Sequence, residues 1–429
     1  MKIFSALTIF ILIAGIRYGR AQTPGSLDET FGRDGRVITD MGADDYSHAL
    51  VIQPDGKLLV AGRIDNDSNY DFAVARYNTN GKLDNTFGKN GRVTTPVGDG
   101  DDKAMSMALQ TDGKIVLAGY ALKQSDDNDF AVVRYNANGT LDKTFGKEGK
   151  AITDIGNSDD YGEAIAIQPD GKIIVAGYSA GNAGVYFAMV RYKMNGMVDS
   201  SFGINGRVLS AINNNDYGSS IQLLPGGKIL FAGSTYIGSK FAIALVKYNN
   251  DGSIDTTFGY GGSMTTSIGV AADYSYSTAI QSDGKILVAG SVDNGAGPAF
   301  GLVRYNANGM LDTTFGTEGK VMTSFGKGDA EGHSLALQRD GKIVVAGYTY
   351  DGRKDNFAMV RYSTNGEPDS EFGRNGRVIT NFGSQDDQAY SVAIQSDGKI
   401  VLAGFSKNIY GVYDFAVARY IAAIREDKK

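Results

Sequence analysis

The sequence predicts an all-β protein, a seven-bladed β-propeller with four antiparallel strands in each blade. Three observations predict it: a strand–turn–strand motif occurs seven times, the repeat period is about 57 residues, and each period holds four strand-like runs. Repetition of a four-stranded unit at this spacing is typical of a propeller, in which each sheet packs between two neighbouring sheets.

The strand–turn–strand motif is clearest at residues 164–178, where two apolar runs flank a Pro-Asp-Gly-Lys turn. Asp-Gly between strand-like runs is a strong hairpin signal, because the tight turn needs a positive φ that glycine adopts without steric cost. Runs such as 173–176 are apolar on both faces, which indicates strands buried from both sides. The turn recurs at 55–57, 112–114, 170–172, 226–228, 283–285, 340–342 and 397–399.

The order of strands along the chain predicts how the ring closes. The first strand-like run, 35–39, alternates and carries charge, which suits the outer edge of a blade. The last three runs, 390–395, 399–405 and 414–420, are of the three inner types. We therefore expect the N-terminal run to pair with the C-terminal three, and deletion of 25–39 to open the ring.

In the third period the predicted strands are 163–168, 172–178, 186–192 and 206–210.

Two further markers recur with the same period, Leu-Asp-x-Thr-Phe-Gly and Phe-Ala-Val-x-Arg-Tyr. The markers' Asp residues, such as Asp142, are expected to form turns by binding nearby backbone amides, with the Phe packed between blades. The recurring Arg, such as Arg134, is expected either to extend its charged end toward solvent or to pair with an Asp of its own blade.

The order of the motifs resembles the delta-60 repeat, a bacterial repeat of the β-propeller type. The motifs are Gly-x-Leu-Asp-x-Thr-Phe-Gly, Gly-Arg/Lys-Val, Ala-Ile-Gln-x-Asp-Gly-Lys-Ile-Val-Ala-Gly and Asp-Phe-Ala-Val-x-Arg-Tyr-Asn. The resemblance covers residues 25–420 and departs from the pattern at Gly226 in the fourth turn and Pro368 in the seventh marker. It implies the propeller fold and brings no established activity.

Composition narrows the classes of function. The chain has 42 basic and 48 acidic residues, a net charge of −6 and no basic cluster, so nucleic acid is not an expected partner. It has no cysteine, which excludes disulfides, thiolate metal sites and a Cys nucleophile. It has only two histidines, which excludes a His-rich metal site. No Gly-x-Ser-x-Gly elbow occurs, and His333, at the start of an inner strand, is interpreted as structural.

Residues 1–21 resemble a secretory signal, followed by one propeller domain at 22–429. Lys2 precedes a largely apolar run at 3–16, and Gly19 and Ala21 supply small residues before a cleavage site. The run is short for a membrane span, although an uncleaved anchor remains the alternative. The sequence thus predicts a secreted or periplasmic protein whose mature chain lacks a membrane span.

Acidic residues mark the links between blades, and variable loops join the second and third strands. Both kinds of connection open on one side of a propeller, which we call the loop face, and variable loops are common binding elements. Tyr follows several of the acidic links. The predicted ligand-binding residues are Asp44, Asp45, Tyr46, Asp101, Asp102, Asp126, Asp127, Asp159, Asp160, Tyr161, Asp386 and Asp387.

One loop suggests a cation. Asp65, Asp67, Asn69 and Asp71 alternate as oxygen ligands do in calcium loops, but the sixth-position Gly and the bidentate Glu of that motif are missing. Solvated carboxylates are the alternative. Calcium is the one cofactor that the sequence suggests.

The sequence therefore favours an exported, monomeric binding or scaffolding module over an enzyme. Its acidic, Tyr-containing loop face would bind a protein or a glycan. A carbohydrate-active hydrolase or lyase that uses a carboxylate pair on that face is one alternative, since such enzymes need two suitably spaced carboxyl groups. A structural cell-surface component is another.

Overall fold

The computed structural model describes residues 22–123, 127–156, 158–181, 183–326, 328–383 and 385–423. These residues form seven antiparallel sheets of four strands each, arranged as a ring, which confirms the predicted seven-bladed propeller. The predicted secretory signal, residues 1–21, lies outside the described residues.

The four strands of each blade run from the central channel to the rim. The innermost strands are β2 (Asp45–Ile52), β6 (Asp102–Leu109), β10 (Asp160–Ile167), β14 (Asp216–Leu223), β18 (Asp273–Ile280), β22 (Ala330–Leu337) and β26 (Asp387–Ile394). The second strands are β3 (Leu58–Asp65), β7 (Ile115–Leu122), β11 (Ile173–Gly181), β15 (Ile229–Ile237), β19 (Ile286–Asp293), β23 (Ile343–Tyr350) and β27 (Ile400–Lys407). The third strands are β4 (Tyr70–Tyr77), β8 (Asn128–Tyr135), β12 (Gly184–Tyr192), β16 (Lys240–Tyr248), β20 (Pro298–Tyr305), β24 (Asp355–Tyr362) and β28 (Tyr413–Tyr420). The outer strands are β1 (Arg36–Thr39), β5 (Arg92–Thr95), β9 (Lys150–Thr153), β13 (Arg207–Ser210), β17 (Ser263–Thr266), β21 (Lys320–Thr323) and β25 (Arg377–Thr380).

We number the blades 1 to 7 from β2, so blade 7 consists of β26, β27, β28 and β1. The outer strand β1 pairs antiparallel with β28, with Val37 opposite Val417 and Thr39 opposite Phe415. The first and last parts of the chain therefore share one sheet, as the order of strand types predicted. Closure leaves each blade packed between two neighbours, so no blade exposes an end face.

The inner strands begin earlier than the sequence suggested. In blade 3 the predicted start was residue 163, whereas β10 begins at Asp160 and pairs Tyr161 with Tyr178. A bulge separates Gly162 from Ala164 in this pairing. The polar start of the strand resembled a loop because the alternation of residue types breaks at the bulge, where one extra residue is inserted.

The recurring Asp, Arg and Phe residues form one unit in each of six blades, and Lys247 takes the place of the Arg in blade 4. Asp142 accepts hydrogen bonds from the backbone amide and hydroxyl of Thr144, at 3.1 and 2.7 Å. The Nε of Arg134 donates to Asp142 at 2.8 Å, and its guanidinium lies 4.6 Å from the ring centre of the buried Phe145. The predicted turn and ion pair are confirmed.

The described residues contain one helical segment, a 3-10 turn at Pro225–Gly227. It replaces the hairpin turn at the position where Gly226 stands for Asp, and both Gly226 and Gly227 have positive φ. Within the described part of the chain, no helix has the length and apolar character that a bilayer crossing requires.

Candidate ligand-binding site at the mouth of the channel

The second carboxylate of each acidic pair is buried. Asp45, Asp102, Asp160 and Asp387 are 0% exposed, and each accepts a hydrogen bond from a backbone amide of the link before its strand. Burial raises the pKa of Asp45 to about 8 and the pKa of both Asp102 and Asp160 to about 6. These buried carboxylates hold the links in place through backbone hydrogen bonds, so a ligand on the surface would not contact them directly.

The first carboxylate of each pair is half-buried and joins neighbouring blades. Asp44 accepts from the backbone amide of Tyr413 at 3.0 Å, and Asp101 accepts from that of Tyr70 at 3.1 Å. Asp159 and Asp386 bind the amides of Asn128 and Asp355 in the same way, at 2.9 and 3.1 Å. Each first carboxylate caps the third strand of the preceding blade.

Two further predictions concern loops between the second and third strands, the Asp126–Asp127 pair and the calcium loop at residues 65–71. Asp126 lies outside the described residues, whereas Asp127 is half-buried beside it. In the predicted calcium loop, Asp65 caps the amide of Asp67 at 2.9 Å, and Asn66 donates to both Asn69 and Asp71, at 2.7 and 2.8 Å. Among the described residues, the loop's three carboxylates are not one of the clusters close enough to share an ion.

A belt of aromatic rings surrounds the mouth of the channel on the loop face, with contributions from all seven blades. Successive ring centres lie 4.5 to 6.4 Å apart, stacked, tilted or edge to face. We call this belt the aromatic girdle. It consists of Tyr46, Tyr70, Tyr120, Tyr161, Tyr178, Tyr217, Phe241, Tyr274, Tyr276, His333, Tyr390 and Phe405.

Cations complete the girdle at its one gap. The Lys103 ammonium lies 5.6 Å from the ring centre of Tyr70 and 5.7 Å from that of Tyr120, so it bridges blades 1 and 2. The Arg63 guanidinium lies 4.5 Å from the ring of Tyr46 and 4.8 Å from that of Tyr70. Such contacts stabilise the cation over the ring face. One arc of the mouth is therefore positively charged.

A second ring of side chains lies one step further into the channel. Each inner strand has a bulge at the same place, and the bulged residue projects toward the axis of the ring. These residues line a cavity of about 420 Å³. The ring consists of His48, Met105, Glu163, Ser219, Tyr276, His333 and Tyr390.

Burial in the channel keeps two of these groups uncharged at neutral pH. Desolvation, together with the nearby Arg63, His333 and Lys103, lowers the pKa of His48 to about 3. Desolvation raises the pKa of Glu163 to about 8. The channel therefore presents a neutral imidazole and a protonated carboxylic acid, both able to form hydrogen bonds with a bound molecule.

His333, which the sequence favoured as a structural residue, lies in both rings. Its Nε2 is 3.5 Å from a carboxylate oxygen of Glu331, and its imidazole stacks on Tyr276 and Tyr348, with centroids 4.5 and 5.4 Å away. Burial acts to raise the pKa of the Glu331 carboxyl, but its interactions with His333 and Tyr348 outweigh that effect and lower the pKa. This arc of the mouth holds an acid–base pair between aromatic rings.

Of the predicted site residues, only Tyr46 and Tyr161 belong to the aromatic girdle. The bulge ring was missed altogether, although a signal was present. The bulged residue always stands three positions after the strand's first residue, as in Asp45-Tyr46-Ser47-His48 and Asp160-Tyr161-Gly162-Glu163. At this position the seven repeats differ most in chemistry, whereas the flanking strand positions keep their type.

One family of proteins matches this chain, with one matched range in each of the seven repeats. A model described as "Domain of unknown function (DUF5122) beta-propeller" matches residues 53–87, 110–145, 168–202, 224–258, 281–315, 338–372 and 395–420. The chain belongs to this family. The match covers the turn after each inner strand, the second and third strands and, in the first six ranges, the turn that ends at the recurring Phe. It leaves out the inner and outer strands, and with them the bulge residue and the acidic link of each repeat.

Solved structures share the fold at low sequence identity. A catalytically inactive virginiamycin B lyase from Staphylococcus aureus matches with a TM-score of 0.51 and 12% identity, covering 89% of this chain and 98% of the other. A polysaccharide lyase matches with a TM-score of 0.52 and 12% identity, covering 91% and 92%. Extracellular domains of Drosophila Semaphorin 1b match with a TM-score of 0.48 and 10% identity, covering 93% and 87%. No curated protein sequence matches this chain. At such identity the two lyases show a shared fold alone.

Proposed function

We propose that this protein is an exported binding module that holds a glycan chain across the aromatic girdle. The observation that carries the proposal is the belt of rings around the mouth, whose gap between Tyr70 and Tyr120 is bridged by Lys103. The delta-60 resemblance brings no activity, so the proposal depends on this site. A protein ligand at the same face is the competing partner.

Aromatic faces suit the flat, weakly polar faces of sugar rings, while hydroxyl groups and carboxylates at the edge suit sugar hydroxyls. Tyr217 and Tyr274 are each 37% exposed and lie on either side of Phe241, so both offer surface to a ligand. Their neighbours fix the ring positions, which lowers the entropic cost of ordering the site on binding. The rigid mouth therefore favours a preformed binding site.

Positive charge on one arc adds a preference for acidic sugars. Arg63 and Lys103 are held in place by ring faces and lie beside the channel opening. A uronate carboxylate bound there would exchange hydration for a charge-assisted hydrogen bond. We expect uronate-bearing polysaccharides to bind more tightly than neutral ones, and the difference to shrink as salt is raised.

The test is a polysaccharide binding panel by isothermal titration calorimetry with matched tyrosine variants. Tyr217→Ala and Tyr274→Ala should each weaken binding by about tenfold, the loss expected when one aromatic contact of about 1.4 kcal/mol is removed. Tyr260→Ala is the control, because Tyr260 is 71% exposed and lies in the turn before β17, on the side opposite the loop face.

Equal affinities for all three variants would place the ligand elsewhere. Absence of binding to every polysaccharide, together with capture of a purified protein ligand that Tyr217→Ala weakens, would replace the glycan with a protein partner at the same surface. The Lys103→Gln variant should lose the preference for uronates while retaining binding to neutral chains.

A second candidate function, a polysaccharide lyase or hydrolase, is favoured by the arrangement around His333. Its imidazole lies beside the Glu331 carboxylate and between the rings of Tyr276 and Tyr390. A histidine positioned by a neighbouring carboxylate can transfer a proton to or from a bound sugar, a step that elimination and hydrolysis both require. The loop-face carboxylates are less suited, because backbone amides occupy them.

Turnover separates the two functions. Prolonged incubation with a bound uronate polysaccharide should release neither unsaturated nor reducing ends if the protein only binds. Release of such ends that is abolished in His333→Ala, with affinity retained, would establish the enzyme instead.

A further inference from the structure

We propose a divalent-cation site, of the oxygen-ligand type that calcium prefers, formed by Asp40, Asp45 and Asp414 at the closure of the ring. Asp40 follows β1, Asp45 begins β2, and Asp414 is the second residue of β28. The site lies beneath the loop face, apart from the aromatic girdle, and involves none of the residues of the predicted calcium loop.

The geometry fits a shared ion. One carboxylate oxygen from each of the three residues lies within 4.8 Å of the other two. Calcium binds oxygen at about 2.4 Å, so two of its ligands can stand at most about 4.8 Å apart. The three oxygens are thus close enough to contact one calcium ion, with further positions left for backbone carbonyls or water.

Nothing neutralises this charge in the described part of the chain. None of the three carboxylates has a Lys or Arg nitrogen within 4.0 Å among the described residues. Asp414 accepts only the neutral amide of Asn408, at 3.1 Å. Carboxylates held this close repel one another when they are ionised, and a bound cation would relieve that repulsion.

The second observation is an unsatisfied oxygen. Asp45 is 0% exposed, and its Oδ1 has no hydrogen-bond partner, whereas its Oδ2 accepts from the Met41 amide at 2.5 Å. A fully buried carboxylate oxygen normally has a partner, and each exception needs an explanation. A cation ligated by Oδ1 supplies that explanation.

Equivalent positions in other blades have a polar group for this oxygen that Asp45 lacks. The Oδ1 atoms of Asp160 and Asp387 are also buried without a hydrogen bond, but a serine that can offer a hydroxyl, Ser179 or Ser406, stands opposite each of them. The Oδ1 of Asp102 accepts from an amide at 2.9 Å, and that of Asp273 does so at 2.8 Å. Asp216 receives the hydroxyl of the residue opposite it, Thr235. Opposite Asp45 stands Ile64, which has no polar group to offer. The blade-7 junction therefore needs an external partner.

A similar cluster, Asp129, Asp154 and Asp160, lies at the junction of blades 2 and 3. There the Lys123 ammonium pairs with Asp129, so a protein cation already supplies positive charge. Position 96, which corresponds to Asp40, is a proline in blade 1, leaving Asp71 and Asp102 without a third carboxylate. Asp71 thus matches Asp414 in place and burial but lacks the cluster, which makes it a control.

The experiment measures calcium binding and thermal unfolding of the mature chain, wild type against Asp414→Asn, with Asp71→Asn as the control. In EDTA, Asp414→Asn should unfold at the same temperature as wild type or higher, because one repelling charge is gone. With about 10 mM calcium, wild type and Asp71→Asn should each gain several degrees by mass action, and Asp414→Asn should gain none. Sodium chloride at matched ionic strength controls for screening.

Calorimetry with calcium alone should give a heat of binding in wild type that is lost in Asp414→Asn. An equal calcium-induced rise in all three proteins would place the ion elsewhere, and no rise or heat in wild type would overturn the proposal. If Asp414→Asn does not fold, Asp40→Asn replaces it, since Asp40 is exposed and its loss leaves the buried core intact.

Discussion

Removing the N-terminal segment, residues 22–39, tests how much of the stability depends on ring closure. This segment supplies β1 and, before it, the Asp–Thr turn and Phe plug that complete blade 7. Phe31 is 0% exposed, and Asp28 binds the Nε of Arg419 at 2.8 Å, across 391 positions of the chain. Backbone hydrogen bonds between Gly25 and Ile421 and between Ser26 and Ile421 join the same two parts of the chain.

The magnitude follows from two buried interactions. Loss of the Phe31 side chain costs about 3–5 kcal/mol as a large-to-small core change. Loss of Asp28 leaves Arg419, only 4% exposed, without its carboxylate, and breaking a buried pair from one side costs about 3–5 kcal/mol. The sum, about 6–10 kcal/mol, is comparable with the total stability of about 5–15 kcal/mol typical of folded proteins.

The truncated chain should therefore be largely unfolded at 37 °C, and a synthetic peptide of residues 22–41 should restore its folding in proportion to concentration. Circular dichroism against temperature measures both effects. Ile38→Ser in the full chain is the control, because Ile38 is 49% exposed and should change stability by less than about 0.5 kcal/mol. A truncated protein that melts within a few degrees of the full chain would refute the closure argument.

Two further predictions concern single groups. Burial raises the pKa of Glu163 from 4.5 to about 8, so wild type should lose stability as pH rises from about 4.5 to 8. Glu163→Gln should lack this loss, and a melting-temperature difference between the two that stays constant from pH 4 to 9 would contradict it. The Tyr77 hydroxyl donates to Thr39 at 2.8 Å in a buried site, so Tyr77→Phe and Thr39→Val should each cost about 1 kcal/mol in urea unfolding. The double variant should lose less unfolding free energy than the sum of the two single losses. Fully additive losses would show that the Tyr77–Thr39 hydrogen bond does not contribute to stability.

The blade architecture was readable from the sequence because its determinants are local. The Asp-Gly-Lys turn sets the register of each hairpin, as the pairing of Ile173 with Ile167 in blade 3 illustrates. The apolar runs identify strands covered on both sides, and constant spacing identifies the repeat. Closure followed from the order of strand types, which needs no knowledge of contacts.

The site was only partly predictable, since it depends on contacts between blades. The acidic links were recognised as loop-face residues, but the hydrogen bond of Asp44 to a backbone amide depends on the preceding blade, and the burial of Asp45 was not visible in the sequence. The aromatic girdle joins rings from three strand types in seven blades, so no single window of sequence displays it. The bulge that turns His48 toward the channel is a feature of strand pairing, which residue types alone did not reveal.

Hydrogen exchange with and without a bound polysaccharide tests the central claim, that the aromatic girdle is the ligand-binding surface, most directly. Binding should slow exchange around Tyr46, Tyr161, Tyr217 and Tyr274, and leave the Asp-Gly-Lys turns unchanged. A cleft of about 730 Å³ on the turn side, lined by Asp340 and neighbouring turn residues, is the competing location. Protection confined to that cleft, or protection that survives Tyr217→Ala at full strength, would contradict the account.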